Sequence, residues 1–229
     1  MKKVLVIDVG GTNVKVGMDP KKKPLKIPSG KGMSAAEMAR AVKEATADWD
    51  YEVVSIGYPG PVVNNRPGVE PHNLGAGWVR YDYKRSFGKP VKVVNDAAMQ
   101  ALGSYQGGRM LFLSLGTGLG SALVADGLVD PLELAHLPYR KNRTYEDYLG
   151  LRGYKRLGRK RWQEHVEKVV ELFKRGLQVD YIMLGGGQTK KLKGLPRNTR
   201  LGDNSNAIAG GVRLWDETRG GQTAAMSSS

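Results

Sequence analysis

Short runs of β-branched and apolar residues recur along the chain, each closed by glycine, proline or asparagine. Residues 4–9 form one such run, and 14–18 resume it after Gly-Gly-Thr-Asn, which predicts two strands joined as a hairpin. Ser34-Ala35-Ala36-Glu37 has the spacing of a capping box. It predicts a helix to about residue 47 with Met38, Ala41, Val42 and Ala45 on its buried face. Residues 51–58 read as a strand ended by the rigid turn Pro59-Gly60-Pro61. A short helix is expected within 81–87, a strand at 91–94 and a helix over 97–105.

Strands are expected again at 109–115 and 121–124, around Gly116-Thr117-Gly118-Leu119-Gly120. Trp162, Val166, Val169, Val170, Phe173 and Leu177 follow helical spacing, so that tryptophan reads as core rather than ligand platform. A buried strand at 179–184 ends in Gly185-Gly186-Gly187. Three glycines there imply close approach by a ligand or by a packed helix. Asp203 or Asn204 would cap a last helix running through Trp215, and Gly210-Gly211 inside it calls for a close packing contact. The final stretch, 218–229, reads as a disordered tail. There is no fixed-period repeat of the solenoid kind.

Composition narrows the class. The chain has 229 residues and no cysteine, which excludes a disulfide framework and a thiolate metal site. No stretch approaches the ~20 apolar residues of a membrane helix. The opening apolar run stops at Asp8, so a signal peptide is not expected. A soluble, cytoplasmic protein follows as the expectation. The formal net charge of +14 favours polyanions or a phosphate-rich substrate, or marks a merely basic surface. No nucleic-acid-binding signature accompanies the charge, and no specific nucleic-acid or membrane partner is expected.

Candidate chemistry centres on residues 91–124. Asp96 lies just past a strand end, and the glycine turn follows. That turn is Gly-x-Gly-x-Gly followed by a strand, so the dinucleotide fingerprint of strand, turn and helix is not met. Its backbone could approach a phosphate closely, or form a plain tight hairpin. Asp8, at the end of the first strand beside Gly10 and Gly11, is either a functional carboxylate or an ordinary turn aspartate. The irregular segment 67–77 holds His72 and Asn73 before Trp78. It presents polar groups to a small ligand, or connects two elements with one tryptophan anchor. Glu133 and His136 would share a face on a helical turn, as contacts to substrate hydroxyls or as a solvated pair. Arg152, Lys155, Arg156, Arg159, Lys160 and Arg161 form a basic cluster, either a polyanion footprint or a solvated helix face.

Taken in order, the motifs resemble a known family. Asp8-Val9-Gly10-Gly11-Thr12 resembles the first phosphate motif of actin-like sugar kinases. Gly57-Tyr58-Pro59-Gly60-Pro61-Val62, Asn95-Asp96-Ala97 and Leu115-Gly116-Thr117-Gly118-Leu119-Gly120 follow in the order of the ROK (repressor, ORF, kinase) family. Glu133-Leu134-Ala135-His136 resembles its Glu-x-Gly-His motif, with Ala135 where the family usually has glycine. Residues 181–187 and 201–207 resemble the polyphosphate glucokinase branch, which also lacks the family's cysteine-rich zinc motif. The likeness spans nearly everything from Lys3 to Trp215, and with no DNA-binding domain expected ahead of Met1 a repressor is not the expectation.

This resemblance implies an α/β, two-lobed actin-like (ribonuclease H-like) sugar kinase with a cleft between lobes. The lobes would be residues 1–106 plus about 204–216, and 107–203, with 217–229 as tail. It implies phosphoryl transfer from polyphosphate or ATP to the 6-hydroxyl of glucose or a related hexose. Asp96 would be the general base. Asn73, Asn95, Glu133 and His136 would join Asp96 in binding the sugar, and a second sugar-binding glutamate is not assigned. Gly10, Gly11, Thr12, Gly116, Thr117 and Gly118 would line the phosphates, Gly185, Gly186 and Gly187 would leave room for a nucleotide, and Asp8 would act through Mg²⁺. A homodimer remains open. The competing expectation is a non-catalytic sugar- or polyanion-binding protein on the same scaffold.

Overall fold

The structure is a computed structural model that describes residues 2–203 and 206–216. The chain divides into two compact units, Met1–Gly103 with Ser205–Ser229, and Ser104–Asn204. The expected tail and the Asn204 cap lie outside the described residues.

The first unit begins with β1 (Val4–Val9), β2 (Asn13–Gly17) and β3 (Leu25–Pro28), then α1 (Ala35–Ala45) and β4 (Val53–Tyr58). A small hairpin of β5 (Val62–Val63) and β6 (Arg66–Pro67) precedes α2 (Tyr83–Phe87), β7 (Val91–Asn95) and α3 (Asp96–Ser104). The second unit holds β8 (Arg109–Leu115), β9 (Leu119–Ala125) and β10 (Leu128–Leu132). A 3₁₀ turn at Leu134–His136 leads to the hairpin of β11 (Pro138–Arg140) and β12 (Arg143–Thr144). Then come α4 (Tyr145–Leu149), α5 (Leu151–Leu177), β13 (Tyr181–Gly185) and β14 (Thr199–Leu201). The last element, α6 (Asn206–Arg213), belongs to the first unit.

The two five-stranded sheets share one plan. The first has order β3-β2-β1-β4-β7 and the second β10-β9-β8-β13-β14. In each, an antiparallel meander is extended by two parallel strands. In each, the strand at the sheet centre ends in a glycine turn: Gly10-Gly11-Thr12 after β1 and Gly116-Thr117-Gly118 after β8.

Strand β1 is apolar on both faces because both are covered. Leu5, Ile7 and Val9 join Met38, Ala39 and Val42 of α1 in one core, while Val4 and Val6 meet Met99 of α3 and Ala207 and Ile208 of α6 in another. The capping box at Ser34 forms as expected, with Glu37 N–H to Ser34 Oγ at 3.3 Å and Ser34 N–H to Glu37 Oε2 at 2.7 Å. The buried face of α1 differs from the expectation: Ala35 and Ala39 are buried with Met38 and Val42, while Ala45 is exposed.

In the second unit, Leu111, Leu113 and Leu115 of β8 pack with Tyr148, Leu149, Trp162, Val166 and Phe173. Trp162 is fully buried, and its Nε1 donates to Leu149 O at 2.8 Å. The helix that carries it is broken at Gly158, whose φ of 72° and ψ of 164° leave helical space.

Candidate active site

The hairpin register places Lys15 opposite Asp8. Lys15 Nζ lies 3.0 Å from Asp8 Oδ2, and Asp8 is buried. The alternation Val14, Lys15, Val16 puts two valines in the core and the lysine on the face of Asp8. Sequence reasoning missed Lys15; closing the hairpin over residues 10–13 would have paired 8 with 15.

The Gly10-Gly11-Thr12 turn is braced from just past the end of β3. Ser29 Oγ donates to Gly10 O at 2.5 Å, and Ser29 N–H donates to Thr12 O at 3.0 Å. A Cβ on Gly11 would stand 2.9 Å from Asn73 Cβ, so the irregular segment with Asn73 packs on this turn. That segment is itself anchored: Glu70 accepts from Trp78 N–H at 3.0 Å, and Tyr58 OH donates to Val69 O at 2.6 Å. Asn73 and Thr12 are exposed beside one another's segments.

Asp96 opens α3 at the C-terminal end of β7. Strand β4 lies between β1 and β7, with Gly57 paired to Asp8 on one side and Val94 on the other. A Cβ at Gly57 would collide with Met99 and reach within 3.5 Å of Asp96 Cα, so glycine lets α3 start close against the sheet. Asn95 holds that start: its Oδ1 accepts from Ala98 N–H at 3.0 Å, and its Nδ2 donates to Gly60 O at 3.1 Å. Asp96 Oδ1 accepts from Ala97 N–H at 2.8 Å. Burial first, and the Asp8 carboxylate second, push the Asp96 carboxyl up to about 7. The backbone N–H groups and Lys15 pull the other way.

The second unit carries the other sequence-predicted residues. In its glycine turn, Gly116 N–H donates to Gly118 O at 3.1 Å. The N–H groups of Thr117 and Gly118 make no hydrogen bond among the described residues. Glu146, from α4, was not anticipated. Its Oε2 accepts from Leu119 N–H at 3.1 Å and stands too close for a Cβ on Gly118, and its Oε1 lies 3.4 Å from Arg152. No local pattern marks Glu146, because the Thr144 capping box that seats α4 engages Asp147 instead.

Glu133 and His136 flank the 3₁₀ turn, with Glu133 Oε2 3.7 Å from His136 Nε2, both exposed. Buried Ser121 of β9 pins this turn, accepting from Leu134 N–H at 3.3 Å and donating to Leu132 O at 2.7 Å. Ala135 is buried in the core, so its methyl is accommodated. Of the three glycines after β13, Gly185 and Gly186 are dictated by packing on β8. Their Cβ positions are blocked by Phe112 and by the Leu115 backbone, and Gly186 has φ 85°. Gly187 faces open space, and Gln188 beside it has a buried Oε1 with no partner among the described residues.

Against solved structures, more than nine-tenths of the chain finds a counterpart. An inorganic polyphosphate/ATP-glucomannokinase from Arthrobacter superposes with a TM-score of 0.77 at 21% identity, covering 93% of this chain and 98% of that one. The fold is that of ROK-family sugar kinases. A ROK family glucokinase from Streptomyces griseus, solved with glucose and AMPPNP, gives 0.65 at 17% identity, covering 91% and 98%. A ROK family transcriptional regulator, a homologue of the Escherichia coli MLC protein, gives 0.62 at 16%, covering 92% and 76%. No protein-family model matches the chain. An uncharacterized protein of Clostridium perfringens is 28% identical over 151 residues, 54% of this chain, and the match spans about half (48%) of that protein's length. No helix among the described residues is long and apolar enough to cross a membrane.

Proposed function

We propose that this protein is a hexose kinase that transfers a phosphoryl group from polyphosphate or ATP to the 6-hydroxyl of glucose or a related sugar. The observation that carries the reading is Asp96, a carboxyl at a strand's C-terminal end whose affinity for a proton is raised to about 7 by burial and by Asp8. A base poised near the working pH is both ionised in part and strong enough to accept a proton. Perturbed carboxyls of this kind concentrate at functional sites.

In the proposed reaction the sugar hydroxyl gives its proton to Asp96 as its oxygen bonds to the terminal phosphorus of the donor. The bond from that phosphorus to the leaving phosphate breaks, and the electron pair departs on the leaving oxygen. Positioning supplies most of the remaining rate enhancement. Asn95 is here a positioning residue through its cap and its bond to Gly60, with one N–H left for the sugar. Asn73, Glu133 and His136 are assigned to sugar hydroxyls. The free N–H groups of Thr117 and Gly118, with Gly116 shaping their turn, are assigned to donor phosphates, as are Gly10, Gly11 and Thr12. Glu146 makes its side of the glycine turn acceptor-rich, which suits a sugar hydroxyl better than a phosphate. Gly185 and Gly186 shape the turn after β13, and Gly187 and Gln188 are assigned to a nucleotide donor.

A divalent cation fits the residues present. Magnesium takes one or two carboxylates with substrate phosphates, and among the described residues Asp8 Oδ1 makes no hydrogen bond, while its Oδ2 meets Lys15. Asp8 would hold the ion, which when bound offsets the charge of the donor phosphates.

The test is a panel of hexoses with ATP and with polyphosphate, read as phosphorylated product. Product with at least one pair upholds the reading, and none with any pair overturns it. The regulator that shares this fold keeps a second reading in view, a sugar-binding protein without turnover. It predicts calorimetric sugar binding with no product.

A further inference from the structure

The outer edge of the first sheet is closed by a side chain rather than a strand. Asn65 sits in the turn of the β5–β6 hairpin with φ 64°. Its Nδ2 donates to Val91 O at 2.9 Å and its Oδ1 accepts from Val93 N–H at 2.5 Å, so its amide pairs with β7 as a neighbouring strand would. Beside this clamp opens a cavity of about 500 Å³, within the range of small-molecule sites. Arg66, Arg80 and Lys84 line it. All three are exposed, and their side chains make no hydrogen bond or ion pair among the described residues. The one carboxylate on the wall, Asp82, accepts from Arg85 N–H at 2.9 Å as the cap of α2. Tyr81 completes the wall, fixed by its hydroxyl on Ser86 Oγ at 2.8 Å and by an edge contact to buried Tyr83 at 5.0 Å between centroids.

Three cations against one engaged carboxylate leave the cavity positive. Two of the cations are guanidinium groups, whose paired N–H donors match phosphate oxygens. A rigid aromatic ring stands beside them for the rest of a ligand to pack on. None of these residues belongs to the site assigned above. We propose that this cavity binds a phosphate group, free or borne on a small metabolite, with Arg66 and Arg80 holding its oxygens.

The test uses the full chain labelled with ¹⁵N and titrated with inorganic phosphate, glucose 6-phosphate and adenosine monophosphate at constant ionic strength. Saturable shifts are expected at the amides of residues 79–84 and 91–93. The double variant Arg66→Gln/Arg80→Gln should bind at least about tenfold more weakly, the scale of one lost charge-assisted hydrogen bond, with phosphoryl transfer unchanged. Should the pair fail to fold, Arg80→Gln alone carries the comparison. A tighter ester names a metabolite as the occupant, and a tighter inorganic phosphate names the free anion; both uphold the site. Shifts elsewhere only, shifts reproduced by chloride, or unaltered affinity in the variant would overturn it.

Discussion

At the scale of one residue, Asp96 makes the sharpest predictions. Its protonation should be readable directly, by ¹³C titration of its carboxyl, with a midpoint near 7. Asp8→Asn removes a charge that raises this value and frees Lys15, which lowers it, so the midpoint should fall. Lys15→Met should move it up. An Asp96 midpoint that ignores both changes would sink the proposed coupling. For stability the sign follows from the same shift. A carboxyl whose folded value is raised favours the folded state at low pH and loses that contribution as pH rises through about 7. Asp96→Asn should therefore melt at the same temperature as wild type near pH 4 and several degrees higher at pH 8. Its turnover should drop by roughly 10²–10⁴-fold with sugar binding retained; wild-type turnover in this variant would remove Asp96 as base.

At the scale of elements, the placing of Asp96 depends on how closely α3 and α6 meet the sheet. The cost of Gly210-Gly211 in a helix implied a compensating contact, and the structure supplies it. A Cβ on Gly210 would run into Met99 O of α3, and one on Gly211 into Val6 of β1. Gly103 of α3 faces the α6 backbone in the same way. Gly103→Ala should destabilise by about 1–3 kcal/mol through overpacking, measured as a lowered urea midpoint. It should also disturb turnover, because α3 carries Asp96 at its start. Such contacts are partly legible: glycine inside a helical pattern announces close approach but does not say to what. Local signals found β1, β2, β4, β7, β8, β9 and β13, the Ser34 cap and both glycine turns because each is set by neighbours in sequence, but the sheet-edge strands β3, β10 and β14 were not expected, since their pairing is set by the sheet they join. Lys15 and Glu146 escaped for the opposite reason. Lys15 acquires meaning only through register with Asp8, and Glu146 only when α4 folds its carboxylate onto Gly118. The shared plan of the two sheets left no repeat in the sequence, since topology constrains apolar alternation and not residue identity.

For the molecule as a whole, the charge of +14 bears on the donor. From Tyr148 to Gln163 there is no carboxylate, and six cations fall in residues 152–161. Two are engaged: Arg152 with Glu146, and Arg156 with Asp147 O at 2.8 Å and over the Tyr148 ring. Lys155, Arg159, Lys160 and Arg161 are exposed and make no ion pair among the described residues. The two readings of this cluster, a polyanion footprint or a solvated helix face, differ in whether a polyanion engages it. If polyphosphate is the donor, a long chain has phosphates enough to engage these four charges, whereas a nucleotide carries too few to need them. Exposed charges are screened over about 8–10 Å at physiological salt. With polyphosphate, KM should therefore rise steeply between low and moderate salt, and with ATP much less. Changing all four to glutamine should raise KM for polyphosphate and flatten its salt dependence while leaving the ATP reaction as it was. Gly158 adds a control, because its backbone angles are reserved for glycine and break the helix within the cluster. Gly158→Ala should weaken polyphosphate use by redirecting Arg159 to Arg161 with every charge intact. Equal salt profiles for the two donors would remove the polyphosphate assignment and leave ATP as the donor.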